Sequence, residues 1–455
     1  MGSLPEGECS SSLHHSQIIK EVVHPSFASH ALIQSYKRSF NGFAAYLTQE
    51  EKHKLTRIVG VISVFPSRKL VLQTTRSWDF MGLSQRIERR PEVESDIIIG
   101  VIDTGIWPES ESFSDEGIGP IPSKWKGECD GGKDFVCNRK IIGARSFSSE
   151  SSARDKDGHG TYVALILAGN QVRDASYYGL ANGIARGGVP SARLAVYRVC
   201  ENKCNDIDVL SAFNHAIADR VDIISLSMGY SDGPLELTSD PFAIGSFHAI
   251  EKGILTVNAA GNTGPDLSSI QNYAPWTLSV AASDIDRKFV DKLLLKNDAT
   301  LVGHGINAFP SSDEALPLVY GKEVTNNCTE IKARNCFPTC LERSLVNHKV
   351  ILCDDEPDWN EVNISGAIGV IYPPLDFTNI SFVMPFPVVS LSRNDLNLVK
   401  IFKDSTIDPR VQILKSETVD NPDAPFVASF SSRGPSTYMY DIIKVSILLL
   451  NYIST

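Results

Sequence analysis

The chain has 455 residues, which at a typical domain size corresponds to about three domains. Hydrophobic residues make up 42% and charged residues 21% of the sequence, the composition of a soluble globular protein with a sizeable core. The formal net charge of −11 argues against nucleic acid or an anionic membrane as a partner. No apolar run reaches the roughly 18 residues that a membrane span needs, so we expect no membrane partner.

Residues 1–73 are predicted to form a small α+β module. Phe40–Leu47 has the composition of a strand, and Thr48 with Glu51 forms a capping box that opens a short helix. Two further strands are predicted at Val61–Phe65 and Leu70–Gln73.

Residues 74–309 alternate between strand and helix patterns. Ile97–Ile102 is an unbroken apolar run, as expected for a strand buried on both faces of a parallel sheet. Alternating strands and helices predict such a sheet with helices on both faces. The predicted strands are 97–102, 194–199, 223–227, 254–259 and 277–283, and the predicted helices start at about 159 and span 206–219 and 240–252.

Residues 310–417 break this alternation and indicate an inserted β-rich domain. They contain many prolines and short β-rich runs such as 349–353 and 367–372. They also contain three glycosylation sequons, at Asn327, Asn363 and Asn379.

The nine cysteines favour an oxidising compartment, although the N-terminus has no recognisable secretory signal. They lack the CxxC or histidine spacing of a zinc site, so we predict disulfides and no metal. Cys129 is predicted to pair with Cys137, and Cys200 with Cys204. The pairing within a later group stays open, and Cys9 is left over; that group is Cys328, Cys336, Cys340 and Cys353.

Polar residues that could form a catalytic site follow the predicted strands. Asp103 ends the run 97–102, which places its carboxylate at the carboxyl edge of the sheet. Taken alone, Asp103 is more typical of a residue that caps the next turn, and His159, between two glycines at a helix start, is more typical of a structural histidine. Asn262 follows the predicted strand 254–259, where a Gly-Asn pair could simply form a turn.

In this order the motifs Asp103-Thr-Gly, Gly-His159-Gly-Thr, Ser225-Leu-Ser-Met-Gly229 and Asn258-Ala-Ala-Gly-Asn262 resemble those of subtilisin-like serine endopeptidases, specifically the plant cucumisin-like group. The resemblance extends from Met1 to about Lys444. It implies an α/β fold with a subtilisin-like parallel sheet and helices on both faces, protein or peptide substrates, no cofactor, and a secreted, extracellular protein.

The resemblance also implies domains and roles. It makes 1–73 a propeptide that acts as an intramolecular inhibitor, 74–309 and 418–455 parts of the catalytic domain, and 310–417 a protease-associated insert. It implies that Asp103 orients His159, that His159 is the general base and acid, and that Asn262 supplies the oxyanion hole. The strand that would bind substrate backbone contains Ser227, Met228 and Gly229.

The sequence departs from the family pattern in several places. Tyr162 occupies a position that is usually a second histidine, and the first propeptide strand and the signal peptide are missing. The Gly-Thr-Ser-Met segment that carries the nucleophile does not occur, and Ser431 and Ser432 belong to a motif upstream of it. We therefore expect a chain truncated before its catalytic serine and inactive as written. The alternative is a non-enzymatic pseudoprotease or protein-binding fragment that acts through the propeptide or the insert.

Overall fold

The structure is a computed structural model. It describes residues 10–38, 40–66, 69–72, 78–83, 87–201, 203–309, 314–325, 328–374, 383–384, 386–442, 444 and 447–450. The chain divides into two compact units. The first comprises Met1–Arg173, Ile184–Ala282 and Phe430–Leu449, and the second comprises Asp174–Gly183, Ser283–Ser429 and Leu450–Thr455.

The N-terminal part of the first unit is an α+β module. Its apolar cluster includes Ile18 and Ile19 of the first helix together with Leu55. The predicted capping box is formed, since the Thr48 amide donates to Glu51 Oε2 at 2.7 Å and the Glu51 amide donates to Thr48 Oγ1 at 3.3 Å. The elements are helices Ser11–Val22, Pro25–Ala31 and Gln49–Leu55 and strands Leu32–Tyr36, Gly42–Ala45 and Lys69–Leu72.

The predicted strand Val61–Phe65 does not form. Val61 and Val64 pack against the apolar cluster of the module, whereas Ile62 is 74% exposed. In a strand the side chains that face the core are two positions apart, whereas Val61 and Val64 are three apart. This spacing does not fit a strand. The ladder of the module is instead an antiparallel pair that joins Leu32–Tyr36, which the sequence pattern did not reveal, to Gly42–Ala45.

An eight-stranded sheet forms the centre of the first unit. Strand Ile98–Asp103 lies in its interior and pairs in parallel with Ile223–Leu226 on one side and Arg193–Arg198 on the other. The predicted α/β fold with a large parallel sheet is confirmed. The strands follow one another in the order Ile447–Leu450, Leu278–Ser283, Leu255–Ala259, Ile223–Leu226, Ile98–Asp103, Arg193–Arg198, Ile141–Ser146 and Cys129–Asp130.

Helices cover both faces of this sheet, because successive residues of a strand point to opposite faces and both sets are apolar here. Ile98 and Ile102 join the core that contains helices Asp206–Asp219 and Pro241–Ile250. Ile99 and Val101 join the opposite core, which contains helix His159–Ala168. The unit also contains helix Pro91–Glu94, the 3-10 turns Glu111–Phe113 and Leu237–Ser239, and the short strands Cys204–Asn205 and Met228–Tyr230.

The second unit is built on a mixed sheet, and the predicted insert 310–417 lies within its bounds. The second unit starts before residue 310 because strand Arg287–Leu295 pairs antiparallel with Arg410–Ile413 and with Glu417–Asp420. Its other strands are Thr300–Gly303, Leu316–Tyr320, Val350–Leu352, Gly369–Tyr372 and Val388–Ser390. Its helical segments are Gly321–Glu323 (a 3-10 turn), Glu330–Arg334, Arg343–Val346, Trp359–Ser365 and Arg393–Ser405, and a separate hairpin joins Val172–Tyr177 to Leu180–Ala185.

Within the residues that the structure describes, no helix has both the length and the apolar content to cross a bilayer.

Candidate active site

Asp103 is the last residue of the buried strand Ile98–Asp103, and its side chain is fully buried. Its Oδ1 accepts a hydrogen bond from the amide of Thr104 at 2.8 Å. A carboxylate buried at the end of a strand needs such donors, because an unpaired charge is costly away from water.

His159 supplies the second donor to Asp103. It is the first residue of helix His159–Ala168, and Gly158 before it has a φ of 103°, a left-handed conformation that glycine adopts without strain. This turn directs the imidazole back to the strand end, where Nδ1 lies 2.7 Å from Asp103 Oδ1. The imidazole is 9% exposed.

Two opposing effects set the pKa of His159. Burial lowers the pKa, whereas the charge of Asp103 and its hydrogen bond to Nδ1 raise it; together with Asp157 and Asp155 they prevail, so the pKa is raised. With Nδ1–H donating to Asp103, the other nitrogen, Nε2, carries the free lone pair, and it has no hydrogen-bond partner among the described residues. The imidazole can therefore accept a proton at Nε2.

Two hydrogen bonds from backbone amides to threonine hydroxyls hold the two loops together independently of the Asp103–His159 pair. The amide of Gly160 donates to Thr104 Oγ1 at 2.7 Å, and the amide of Trp107 donates to Thr161 Oγ1 at 3.0 Å. These bonds fix the residues that follow Asp103 against the start of the His159 helix.

Asp155 is a site residue that the sequence motifs did not single out. Its carboxylate is buried and accepts the amides of Gly158 at 2.9 Å and Thr161 at 2.8 Å, as well as the Thr161 hydroxyl at 2.6 Å. Burial alone would raise its pKa, but the donors from Thr161 and Gly158 lower it below the usual value. The signal was present in the sequence, because an Asp a few residues before a helix start is a common partner for its free amides.

Asn262 lies in a loop after strand Leu255–Ala259 and is exposed. That strand pairs in parallel with Ile223–Leu226, which in turn pairs in parallel with Ile98–Asp103. The carboxyl ends of these strands meet at one edge of the sheet, so Asn262 emerges at the same edge as Asp103.

Ser432 fixes the loop that carries Asn262. Its amide donates to the carbonyl of Gly261 at 2.9 Å, and its hydroxyl accepts from the amide of Thr263 at 3.2 Å. The hydroxyl of Ser431 accepts from the amide of Ala282 at 3.2 Å. Both serines are buried, and each hydroxyl accepts a hydrogen bond from a backbone amide.

The predicted substrate-binding strand is already paired in the structure. Met228–Tyr230 forms an antiparallel ladder with Lys69–Leu72 at the end of the N-terminal module, with Leu72 opposite Met228 and Val71 opposite Gly229. Ser227 precedes this strand and is half-buried. The segment Lys69–Leu72 therefore occupies the position that an extended peptide would take along Met228–Tyr230.

Other predicted site residues lie away from this edge. Asn363 is exposed on helix Trp359–Ser365, whereas Asn327 and Asn379 lie outside the described residues. The structure contains disulfides Cys129–Cys137 and Cys200–Cys204 in the first unit and Cys328–Cys340 and Cys336–Cys353 in the second. Among the described residues no group of three or more His, Cys, Asp or Glu side chains could hold a metal ion.

The first unit thus combines an Asp–His pair at the carboxyl edge of a parallel sheet with an N-terminal module whose strand Lys69–Leu72 pairs with Met228–Tyr230. The family model described as "Subtilase family" matches residues 94–449, and the model "Peptidase inhibitor I9" matches residues 4–73. The chain belongs to the subtilase family.

Within this family the chain is a plant-type subtilase. It is 49% identical over 445 residues to subtilisin-like protease SBT4.3 of Arabidopsis thaliana, a match that covers 98% of this chain and 61% of that protein. It is 48% identical over 456 residues to subtilisin-like protease SBT4.4 of the same plant, with 98% and 61% covered. The chain thus spans about three fifths of the length of the curated relatives that it matches.

Proposed function

We propose that this chain carries the Asp–His and oxyanion part of a serine endopeptidase site, in which Asp103 orients His159 and Asn262 binds the developing negative charge. The observation that carries the proposal is the 2.7 Å contact between His159 Nδ1 and Asp103 Oδ1, which leaves Nε2 without a partner among the described residues. The strand Lys69–Leu72 beside Met228–Tyr230 supports extended polypeptides as the substrate class.

The reaction of such a site is peptide hydrolysis through an acyl-enzyme. A serine oxygen attacks the peptide carbonyl while its proton passes to Nε2 of His159, and Asp103 stabilises the imidazolium that forms. The side-chain amide of Asn262 donates to the resulting oxyanion, and in subtilisin itself the loss of such a donor lowers the rate by about 10² to 10³. The imidazolium then protonates the leaving amine, and water completes the cycle through the same base.

The serine for this reaction has no match in the sequence. No Gly-Thr-Ser-Met segment occurs in the 455 residues, and the hydroxyls of Ser431 and Ser432 accept backbone amides. The chain itself is therefore proposed to lack hydrolytic activity. In subtilisin, removal of the nucleophile alone lowers turnover by about 10⁶.

A fluorophosphonate probe, which labels activated serines, tests this proposal together with the hydrolysis of a broad peptide library. We expect neither labelling nor hydrolysis from the chain, with a catalytically active subtilase as the positive control. Labelling that disappears in the His159→Ala variant would show that the chain does contain an activated serine and would contradict the proposal.

A second candidate function, protein binding without hydrolysis, is favoured by the contacts of the N-terminal module. The hydroxyl of Tyr36 donates to the carbonyl of Ile207 at 2.9 Å, and the amide of Arg38 donates to Asn214 Oδ1 at 2.9 Å, so the module docks on helix Asp206–Asp219. We propose that this module is an intramolecular inhibitor. A surface that binds one inhibitory module could bind another supplied in trans, which a pull-down with an isolated propeptide would test.

We also propose that the protein is secreted and glycosylated, and that residues 310–417 form a protease-associated insert, which sets the domains at 1–73, 74–309, 310–417 and 418–455. The four disulfides and the exposed position of Asn363 support an extracellular location. Peptide mapping of secreted material, with and without glycosidase and reductant, tests these points. Free thiols at the paired positions would contradict them.

A further inference from the structure

We call the space that strand Lys69–Leu72 occupies the peptide-binding cleft, and the two strands that flank it are its walls. Strand Lys69–Leu72 lies between Met228–Tyr230 on one side and Cys204–Asn205 on the other in a three-stranded sheet. Leu70 is opposite both Tyr230 and Cys204, whereas Lys69 is opposite only Asn205. Val71 and Leu72 face only the wall that contains Met228. An extended chain in this cleft therefore pairs with the wall Cys204–Asn205 through residues 69–70 and with the wall Met228–Tyr230 through residues 70–72.

The wall Cys204–Asn205 is a very short strand, so its position depends on the segments that flank it. It comprises two residues, whereas strands in proteins usually have at least three. Helix Asp206–Asp219 begins directly after it and anchors one end. The other end is joined through the Cys200–Cys204 disulfide to the backbone that follows strand Arg193–Arg198 of the central sheet.

Cys200 is firmly held on the sheet side of this disulfide. Its carbonyl accepts a hydrogen bond from Arg198 Nε at 3.2 Å, and the same guanidinium donates to the carbonyl of Ser152 at 2.8 Å. Cys200 and Cys204 also form an isolated antiparallel bridge with each other. The disulfide thus transmits a fixed position from the central sheet to the short wall.

The same disulfide contacts the opposite wall. Cys200 Sγ lies 3.7 Å from Met228 Sδ, and the three side chains are buried at 1% (Cys200), 2% (Cys204) and 0% (Met228) exposure. The disulfide therefore joins the wall Cys204–Asn205 to Cys200, whose sulfur atom makes a buried contact with Met228 of the other wall. This contact sets the distance between the walls, because a buried interior is close-packed and resists compression.

We propose that the Cys200–Cys204 disulfide is a positioning element of the peptide-binding cleft, which holds the wall Cys204–Asn205 at the spacing that an extended polypeptide backbone requires. The inference rests on the proposed function only in that the cleft binds extended peptide. The disulfide closes a loop of sequence separation 4, and loops this short constrain the unfolded chain less than long ones. Its main effect is local.

Hydrogen exchange of the full chain, resolved to single amides by electron-transfer fragmentation, tests this role with the protein's own strand Lys69–Leu72 as the bound peptide. Because successive amides of a strand point to opposite sides, one amide of residues 69–70 and one of residues 204–205 faces the partner strand, and in the Cys200→Ser/Cys204→Ser variant these amides should exchange at least tenfold faster. Exchange at residues 71–72, which pair only with the Met228 wall, should change less than threefold. The matched control is Cys129→Ser/Cys137→Ser, which removes another short disulfide and should leave all these amides unchanged.

Two results would overturn the proposal. One is unchanged exchange at 69–70 and 204–205, and the other is an equal rise along the whole of 69–72, which would indicate general loosening rather than loss of one wall. If the serine variant does not fold, Cys200→Val/Cys204→Ala keeps the buried apolar contacts without the bond and is judged by the same criteria. The measurement needs no hydrolysis, so it is valid even if the chain is inactive. Rapid exchange of residues 69–72 in the unmodified chain would show that this strand does not occupy the cleft.

Discussion

His159 Nδ1 and Asp103 Oδ1 lie 2.7 Å apart, although the two residues are 56 positions apart in the chain. The contact does not depend on the two side chains alone, because Thr104 Oγ1 accepts the amide of Gly160 at 2.7 Å. The neighbours of both residues are thus already joined by a hydrogen bond of their own. The pair is pre-organised, and a change in either side chain should alter the electrostatics of the site more than its geometry.

The first prediction concerns the protonation of His159. Asp103→Asn should lower the pKa of His159, because burial already lowers this pKa and the charge of Asp103 is the largest of the effects that raise it. A histidine NMR titration of the variant measures this directly. His159 must be neutral to accept a proton, so the fraction of molecules with a competent imidazole rises as the pH increases through the pKa of His159. In Asp103→Asn this rise should occur at lower pH.

The control for this titration is Asp96→Asn. Asp96 is an exposed carboxylate that pairs with Lys124 and does not touch His159. Its removal should leave the titration of His159 in place. An unchanged midpoint in Asp103→Asn would mean that the charge of Asp103 does not govern the base.

The second prediction concerns the turn before His159. Gly158 has a φ of 103° and open space where a Cβ would lie, so Gly158→Ala should be destabilising through backbone strain alone, by about 1 to 3 kcal/mol. Gly119 also has open space at its Cβ position but has no such φ. Urea unfolding should therefore show a loss for Gly158→Ala and little change for Gly119→Ala. Equal losses would contradict the argument from φ.

The contact between Asp103 and His159 could be predicted from sequence because Asp103 ends an apolar strand, His159 starts a helix between two glycines, and the two motifs occur in the order found in subtilases. A buried apolar strand that ends in Asp103 and a Gly-His159-Gly helix start rarely occur together by chance. The central sheet was predictable for a related reason, since runs such as Ile98–Asp103 are apolar on both faces.

The features that the sequence did not reveal depend on long-range pairing. Val61–Phe65 has the composition of a strand but finds no ladder partner among the described residues, while Leu32–Tyr36 does. Cys204–Asn205 is too short to be recognised and becomes a strand only beside Lys69–Leu72. In the second unit, four cysteines allow three pairings, and only the fold selects Cys328–Cys340 and Cys336–Cys353.

The third prediction concerns the docking of the N-terminal module. Tyr36 is buried, and its hydroxyl donates to the carbonyl of Ile207 at 2.9 Å. Tyr36→Phe removes this bond and should weaken docking by about 1 kcal/mol. Limited proteolysis should then cleave within residues 40–66 several-fold faster. Tyr46→Phe is the matched control because Tyr46 is 75% exposed, and an equal effect of both variants would argue against a role of the Tyr36 hydroxyl.

The last prediction concerns Asp291, a fully buried carboxyl in strand Arg287–Leu295 of the second unit. Burial raises its pKa from 3.8 to about 7, although the hydroxyl of Ser416, which donates to Oδ1, acts in the opposite direction. Its Oδ2 has no hydrogen-bond partner among the described residues. The folded state therefore holds a proton over a pH range in which the unfolded chain has lost it.

The sign of the pH dependence follows from this difference. The stability associated with Asp291 is fully present below about pH 4 and is lost as the pH rises to about 7, and a gap of about 3 pH units corresponds to about 4 kcal/mol at most. Asp291→Asn cannot ionise, so the second unit of this variant should lose less stability over that range and should exceed the unmodified chain at pH 8. Pulse proteolysis in urea, followed through peptides of residues 287–295, measures the unit separately. Asp298→Asn, at an exposed turn, should keep the original slope, and a parallel slope in Asp291→Asn would show that Asp291 is ionised in the folded protein.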